Sequence, residues 1–278
     1  MRHVCGISGG KDSSALAIYL RERVPEMEYF FCDTGAELPE TYEYLNRLEV
    51  ALGKPIERLN PDKGFDHWFE VYRGTLPSPQ MRWCTRQMKI KPLEAWLGDD
   101  EATSYVAIRA DEKNRKGYVS TKPNIQAVFP FVEDDIDHDG VMRILEDAGL
   151  GLPTYYEWRT RSGCYFCFYQ RKAEWVGLAE RHPDLFKRAV SIEKKVLLQA
   201  GADGSASYTY VAMQSRLYTW SQGESLEELI ERSEEIKDRH AIAMERARSK
   251  RKNIPLVEVL AEALDEDDGD PGCAVCAL

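Results

Sequence analysis

The sequence predicts an α/β protein with a doubly wound, mostly parallel sheet and a helical C-terminal part. Three observations predict this fold class. The first half alternates short apolar runs with helical segments, the rhythm of βαβ units. A glycine-rich turn, Ser8–Ser14, joins the first apolar run to the first helical segment. Beyond residue 136, apolar residues recur at helical spacing.

The elements are predicted in chain order from these patterns. Strands are predicted at Arg2–Ile7, Glu28–Cys32, Ile56–Leu59 and Tyr105–Ile108. Helices of the first half are predicted at Asp12–Arg23, Pro39–Leu52, Asp66–Tyr72 and Thr85–Leu97, with Thr85 as an N-cap. Helices of the second half are predicted at Asp137–Ala148, Lys172–Arg181, Asp184–Ala200 and Glu224–Arg248.

These elements divide the chain into three predicted regions. Residues 1–135 form an α/β nucleotide-binding domain, and residues 136–264 form a helical region that contains a cysteine-bearing loop. Residues 265–278 form an acidic tail with a Cys-x-x-Cys pair, which we expect to be mobile.

Length and composition narrow the class of protein. The 278 residues, 43 % of them hydrophobic, are enough for one large domain and a smaller appendage. A net charge of −10 argues against broad nonspecific affinity for nucleic acid, although local basic clusters fit a phosphate-handling pocket. No apolar run approaches the roughly 18–20 residues of a membrane span, and the first strand starts at once. We therefore expect a cytoplasmic protein without a membrane partner.

The turn Ser8-Gly9-Gly10-Lys11-Asp12-Ser13-Ser14 has the chemistry of a phosphate cradle. Its glycines let backbone N–H groups approach an anion, and the helix N-terminus adds partial positive charge. Lys11 adds a full charge, and Ser13 and Ser14 add hydroxyl donors. The spacing matches neither a Walker loop nor a dinucleotide fingerprint. The alternative is a plain strand–turn–helix corner.

The turn resembles the pyrophosphate-binding loop (PP-loop) of the N-type ATP pyrophosphatases, of the adenine nucleotide alpha-hydrolase-like, HUP-type superfamily. Three further segments resemble the phosphoadenosine-phosphosulfate (PAPS) reductase-like family, so that the resemblance covers about residues 1–175. The first is Asp33-Thr34-Gly35-Ala36-Glu37-Leu38-Pro39-Glu40-Thr41-Tyr42. The second and third are Arg82–Leu93, which contains Lys89-Ile90-Lys91-Pro92-Leu93, and Ala107-Ile108-Arg109-Ala110-Asp111-Glu112-Lys113-Asn114-Arg115.

This resemblance implies a site that binds ATP with Mg²⁺ and cleaves it between the α- and β-phosphates. Asp12 or Asp33 would lie near the Mg²⁺, although Asp12 could instead cap the first helix. The implied catalytic residues are Lys11, Asp12, Arg109 and Arg115. The implied nucleotide-binding residues are Ser8, Gly9, Gly10, Lys11, Asp12, Ser13, Ser14, Asp33, Thr34 and Gly35.

The seven cysteines have several interpretations. Cys5 and Cys32 lie in predicted strands and are expected to pack as small apolar residues. The resemblance implies a [4Fe–4S] cluster on Cys84, Cys164 and Cys167, with Thr85 where the family has a second cysteine. The fourth position is then open, held by a non-cysteine group, or taken by Cys273 or Cys276. Zinc on Cys164, Cys167, Cys273 and Cys276, and no metal at all, are the alternatives.

The resemblance implies an enzyme that adenylates an oxygen so that sulfur can replace it. Relatives of this type serve in DNA phosphorothioation systems, which act in defence against phage, and others accompany some CRISPR loci on mobile elements. The implied partners are ATP, a cysteine desulfurase or other sulfur donor, a nucleic-acid-processing complex, and a second copy of the chain. One rival is a sulfonucleotide reductase that uses Cys273 or Cys276 as nucleophile. The other is an ATP-binding regulatory subunit without sulfur chemistry.

Overall fold

A computed structural model of the chain describes residues 1–60, 63–79, 81–112, 122–202, 219–221 and 223–250. Its centre is a five-stranded sheet in which every paired neighbour is parallel. The strand order is β3-β2-β1-β4-β5. The strands are β1 (Arg2–Gly6), β2 (Glu28–Cys32), β3 (Ile56–Leu59), β4 (Ala102–Tyr105) and β5 (Ile125–Val128). The α/β fold class predicted from sequence is confirmed.

Helices flank the sheet and continue into the second half of the chain. In the first half they are α1 (Lys11–Leu20), α2 (Pro39–Leu52), α3 (Phe65–Val71), α4 (Trp83–Thr85) and α5 (Lys91–Leu97), with a π-helical turn, Arg86–Ile90, between the last two. Next come α6 (Pro130–Glu133), α7 (His138–Asp147) and a 3₁₀ turn, Thr154–Glu157. The remaining described helices are α8 (Lys172–Arg181), α9 (Pro183–Ala202), α10 (Leu226–Glu231) and α11 (Ser233–Lys250).

The strand order reverses at β1. The chain runs outward from β1 through β2 to β3 and then returns to β4 on the other side of β1. Cys5 of β1 lies opposite Tyr29 on one side and opposite Tyr105 on the other. Ligands of open parallel sheets bind at such a reversal, outside the carboxyl ends of the strands. The Ser8–Ser14 loop is therefore at the favoured position.

Alternation along the strands gives the sheet two apolar faces. Cys5 packs on the face covered by α1, α2 and α7, whereas Val4 packs on the face covered by α5. Cys5 and Cys32 are both buried, as predicted. A third cluster, rich in aromatic residues, joins α3 to the C-terminal helices through Phe65, Phe166 and Trp220.

Some predicted element boundaries were wrong. The fourth strand is Ala102–Tyr105, because these residues continue the ladder with β1, while the apolar Val106–Ile108 lie beyond it as buried backbone. Thr85 is inside helical backbone (φ −62°, ψ −46°) and does not cap a helix. The helix predicted at Glu224–Arg248 is two helices, of which the first is capped by Ser225 and Glu228.

Two short elements were not predicted, namely β5 and α6. The predicted tail 265–278 lies outside the described residues. In the part of the chain that the structure describes, no helix has both the length and the apolar character needed to cross a membrane.

Candidate active site

The loop after β1 is held in shape by its own hydroxyls and by a neighbouring helix. The Ser8 backbone N–H donates to Ser13 Oγ at 3.1 Å, and the two hydroxyl oxygens are 3.0 Å apart. Gly9 has φ +73°, and a Cβ there would lie 2.6 Å from Thr41 Cγ2. Only glycine fits both the positive φ and the close approach of Thr41 without strain. Ser13 and Ser14 are buried, so Ser13 supports the loop from beneath.

Two cations meet one carboxylate at the start of α1. Lys11 Nζ lies 3.1 Å from Asp12 Oδ2, and Arg109 Nη1 lies 3.0 Å from Asp12 Oδ1. Arg109 follows β4, and it also forms a bidentate pair with Asp111, at 2.9 and 3.0 Å. The sequence predicted that Lys11, Asp12 and Arg109 share a crevice, and the structure places all three together.

The ionisation of this cluster follows from its charges. Burial favours the neutral form of Asp12, but Lys11 and Arg109 outweigh it and lower the pKa of Asp12 to about 2. Burial likewise opposes the charge of Lys11, yet the Asp12 carboxylate raises the pKa of Lys11 above its ordinary value. Two cations therefore face the ionised Asp12 beside the N-terminus of α1, and Asp111 and Glu112 further offset the charge of Arg109.

A strap formed by residues 151–170 crosses the loop, and sequence reasoning missed its contribution. The Lys11 backbone N–H donates to the Tyr156 hydroxyl at 3.1 Å, and the Tyr155 hydroxyl donates to the Gly9 carbonyl at 2.7 Å. Ser162 Oγ donates to Ser8 Oγ at 3.1 Å. Two adjacent tyrosines in a loop rich in Gly, Tyr and Arg were the one sequence signal for these contacts.

The same strap also contacts the loop after β2. Asp33 Oδ1 accepts from the Gly35 backbone N–H at 2.9 Å and from the Tyr42 hydroxyl at 2.7 Å. Thr34 Oγ1 lies 3.2 Å from Cys164 Sγ. The Tyr165 backbone N–H donates to the Ala36 carbonyl at 2.8 Å. The β1 and β2 loops and the strap therefore form one connected wall.

The positions of the described cysteines bear on the predicted iron–sulfur cluster. Cys164 Sγ contacts Thr34 Oγ1 and lies 3.6 Å from Glu37 Oε1. Burial raises the pKa of the Cys164 thiol well above its ordinary value, and the charge of Glu37 raises it further. Cys84 and Cys164 pack against the same aromatic cluster. Among the residues that the structure describes, no three or more His, Cys, Asp and Glu side chains are arranged to hold a metal ion. The described thiols by themselves therefore do not form a cluster site, and no step is derived through a cluster.

The remaining site predictions have mixed outcomes. Asp12 does not cap α1, because Gly10 occupies the N-cap and the Asp12 carboxylate faces the two cations. Arg115, Cys273 and Cys276 lie outside the described residues, and their roles stay predictions.

A parallel sheet that reverses at β1, with a Ser-Gly-Gly-Lys-Asp-Ser loop at the reversal, defines a PP-loop protein of the adenine nucleotide alpha-hydrolase-like superfamily. Within this class, residues 2–145 match the phosphoadenosine phosphosulfate reductase domain family. This match covers more than half of the 278 residues, and the chain belongs to that family.

The individual relatives have low sequence identity to this chain. The chain is 24 % identical over 203 residues to an uncharacterized protein of Methanocaldococcus jannaschii, a match that covers 68 % of this chain and 46 % of the relative. It is 27 % identical over 182 residues to the tRNA-specific 2-thiouridylase MnmA of Pasteurella multocida, a match that covers 53 % of this chain and 47 % of that relative. The chain thus spans less than half the length of these curated relatives.

A solved structure of phosphoadenylyl-sulfate (PAPS) reductase from Candida auris, in complex with phosphate, is also similar to this chain. It has 12 % identity and a TM-score of 0.47, and the match covers 59 % of this chain and 81 % of that one.

Proposed function

We propose that the protein cleaves ATP between its α- and β-phosphates, so that an acceptor oxygen becomes adenylated and can be replaced by sulfur. The observation that carries this proposal is the cluster of Lys11, Asp12 and Arg109 at the N-terminus of α1. It offers two cations and a helix N-terminus to a polyphosphate, at the carboxyl edge of the sheet.

The residues have separate tasks in this reaction. An acceptor oxygen attacks the α-phosphorus, the bond to the α–β bridging oxygen breaks, and pyrophosphate leaves with that electron pair. The acceptor proton passes to solvent. Lys11 and the loop N–H groups stabilise the charge that grows on pyrophosphate. Asp12 fixes the positions of Lys11 and Arg109, and Mg²⁺ bound with ATP would supply further charge neutralisation.

Sulfur transfer would complete the reaction. A hydrosulfide attacks the activated carbon or phosphorus, its proton passes to solvent, and AMP leaves with the former acceptor oxygen. From a persulfide donor, a second thiol must first release the hydrosulfide and is itself oxidised to a disulfide with the donor. A cysteine desulfurase is a donor of the right chemical class. MnmA, by its name a 2-thiouridylase, supports this class of chemistry. Action inside a nucleic-acid-processing or phage-defence complex, and an iron–sulfur cofactor, belong to this proposal as further hypotheses.

Reduction of a sulfonucleotide is the second candidate, because the matching family carries that reaction in its name. It requires a nucleophilic thiolate. Burial raises the pKa of the Cys164 thiol, which disfavours it for this role. The predicted nucleophiles, Cys273 and Cys276, lie in the acidic tail.

The deciding experiment is anaerobic incubation of the purified protein with ATP and Mg²⁺, followed by separation of the nucleotides. We expect AMP and pyrophosphate, with loss of both in Lys11→Ala. Lys187→Ala is the matched control, because Lys187 is an exposed cation on α9, where its side chain is 77 % exposed. ADP and phosphate, or tight binding without turnover, would contradict the proposal. Sulfite released from a sulfonucleotide in the presence of thioredoxin would favour the reductase.

A further inference from the structure

A second cleft opens at the edge of the sheet, beside β3. Its volume is about 520 Å³. It lies between the end of β3, helix α3 and the start of α5, and the π-helical turn Arg86–Ile90 forms part of its wall. The described lining residues that matter here are Arg58, Asn60, Lys63, Trp68, Gln87 and Lys91. None of these six takes part in the cluster at the start of α1.

The cleft is basic. Lys63 and Lys91 are exposed on its rim, and neither forms an ion pair with another described residue. The charge of Arg58 is partly balanced by Glu49, because Arg58 Nη2 lies 3.5 Å from Glu49 Oε1. Among the described lining residues there are three basic side chains and no acidic one. In a chain of net charge −10, such a concentration of cations favours an anionic ligand.

The wall of the cleft also holds polar atoms that lack partners. Gln87 is only 9 % exposed, and its Nε2 donates to the Tyr72 hydroxyl at 3.1 Å. Its Oε1, Trp68 Nε1 and Arg58 Nη1 are buried with no hydrogen-bond partner among the described residues. Buried polar groups without partners are rare in native proteins, since leaving them unsatisfied is unfavourable. These atoms belong to residues that line the cleft, so a small movement of its wall would offer one acceptor and two donors to a ligand.

An aromatic surface accompanies these polar groups. Trp68 lines the cleft, and Lys91 Nζ lies 5.6 Å from the centroid of its ring. Gln87 and Lys91 line the same cleft as this ring. Gln87 belongs to the π-helical turn, which lies just before Pro92, a residue that cannot donate a backbone hydrogen bond to the preceding turn. An indole, an amide and several cations match a planar heterocycle with a phosphate attached.

We infer that this cleft binds a nucleotide unit, with the base on Trp68 and Gln87 and the phosphate on Lys63 and Lys91. The unit comes either from a single-stranded nucleic acid or from a free nucleotide. The cleft is at the end of β3, two strands away from the loop after β1, or about 10 Å along the sheet edge. The inference that this unit is the acceptor rests on the proposed function, whereas the binding itself does not.

The test measures binding of fluorescein-labelled single strands of about eight nucleotides, thymidylate and uridylate, by anisotropy without ATP. We expect Trp68→Ala to weaken binding by at least about fivefold, and Trp68→Phe to retain most of it. The double variant Lys63→Ala, Lys91→Ala keeps the buried wall intact. It should weaken binding and reduce the slope of log K against log salt by about 1.4.

Controls separate this cleft from the site at β1. Lys187→Ala should bind the strands like the native chain, whereas a strand held at the loop after β1 would instead lose affinity in Lys11→Ala. Competition with AMP and UMP distinguishes the sources: equal affinity for mononucleotide and strand indicates a free nucleotide, and much tighter strand binding indicates nucleic acid. Absence of binding to any probe, unchanged binding in the Trp68→Ala and lysine variants, or loss in Lys11→Ala alone would overturn the inference. Formation of AMP from ATP is scored separately and does not decide it.

Discussion

At the scale of single residues, Asp12 is the group on which both cations of the site depend. It lies between Lys11 and Arg109, at 3.1 and 3.0 Å, and it is ionised throughout the physiological range because its pKa is about 2. Its charge holds Lys11 against the N-terminus of α1. We therefore expect Asp12→Asn to lower the rate of pyrophosphate release by roughly 100-fold, as loss of a charge-stabilising group does.

The same carboxylate predicts a dependence of stability on pH. The folded pKa of Asp12 lies below its ordinary value of 3.8, so ionisation of Asp12 stabilises the folded state above about pH 4. That contribution, about 2 kcal/mol, is lost as the pH falls through about 2. Urea unfolding of the native chain and Asp12→Asn should differ at pH 7 and converge near pH 2. A constant difference across this range would contradict the assignment.

Removal of the Tyr156 hydroxyl should have the opposite effect and increase the affinity for pyrophosphate. This hydroxyl accepts the Lys11 backbone N–H, the donor that a phosphate oxygen would need. Tyr156→Phe should tighten pyrophosphate binding by about threefold to tenfold and lower the free energy of unfolding by about 1 kcal/mol. Calorimetric titration measures the first effect and urea unfolding the second.

Tyr155→Phe is the control for this change. The Tyr155 hydroxyl donates to the Gly9 carbonyl, so its removal frees no N–H group for phosphate. If both variants tighten pyrophosphate binding equally, a general loosening of the strap is responsible, and competition by Tyr156 is wrong.

At the scale of elements, the loop after β1 depends on its contact with α2. Gly9→Ala places a Cβ 2.6 Å from Thr41 Cγ2 and forces a side chain into left-handed backbone. We expect a loss of about 2 kcal/mol or more in the free energy of unfolding, together with loss of pyrophosphate binding.

The double variant Gly9→Ala, Thr41→Ser divides this cost into two parts. Serine removes Cγ2, so it should relieve the clash and leave the backbone strain. Urea unfolding of the single and double variants, with Thr41→Ser alone as control, measures the coupling between the two residues. Equal stability of Gly9→Ala with and without Thr41→Ser would show that the contact carries no energy.

The contrast between the loop and the strap explains how much could be predicted from the sequence. The Ser8–Ser14 loop follows a strand and opens a helix within a few residues, so its local pattern was sufficient. Tyr155 and Tyr156 reach that loop from about 145 residues away, through a 3₁₀ turn whose placement depends on tertiary packing. β5 was not predicted because only Ile125 of its residues is buried, whereas the equally short β3 is buried at both ends.

At the scale of the whole molecule, the C-terminal helices and the sheet are joined through the strap. Its backbone is fixed by Arg159, which is 1 % exposed and donates to the Gly163 and Cys164 carbonyls at 3.0 and 2.9 Å. Glu174 of α8 accepts from the backbone and hydroxyl of Thr160. We therefore expect a disturbance in the C-terminal part to reach the loop that we propose binds phosphate.

Trp175 tests this connection from a distance. It lies on α8, fully buried in the aromatic cluster, and forms no hydrogen bond or ring contact with the described residues of the Ser8–Ser14 loop. Trp175→Ala should lower the free energy of unfolding by about 3–5 kcal/mol and also weaken pyrophosphate binding, because the strap loses its support. Unfolding followed by tryptophan fluorescence and by circular dichroism should remain a single, coincident transition.

Val50→Ala is the matched control, since Val50 is 84 % exposed on α2 and should leave both quantities unchanged. Two separate transitions in Trp175→Ala, with native pyrophosphate affinity, would mean that the sheet and its phosphate loop fold independently of the C-terminal helices. The strap would then cover the loop without stabilising it. A single transition with weakened binding instead makes Trp175 a support of the phosphate site, although this residue lies outside the family match at residues 2–145.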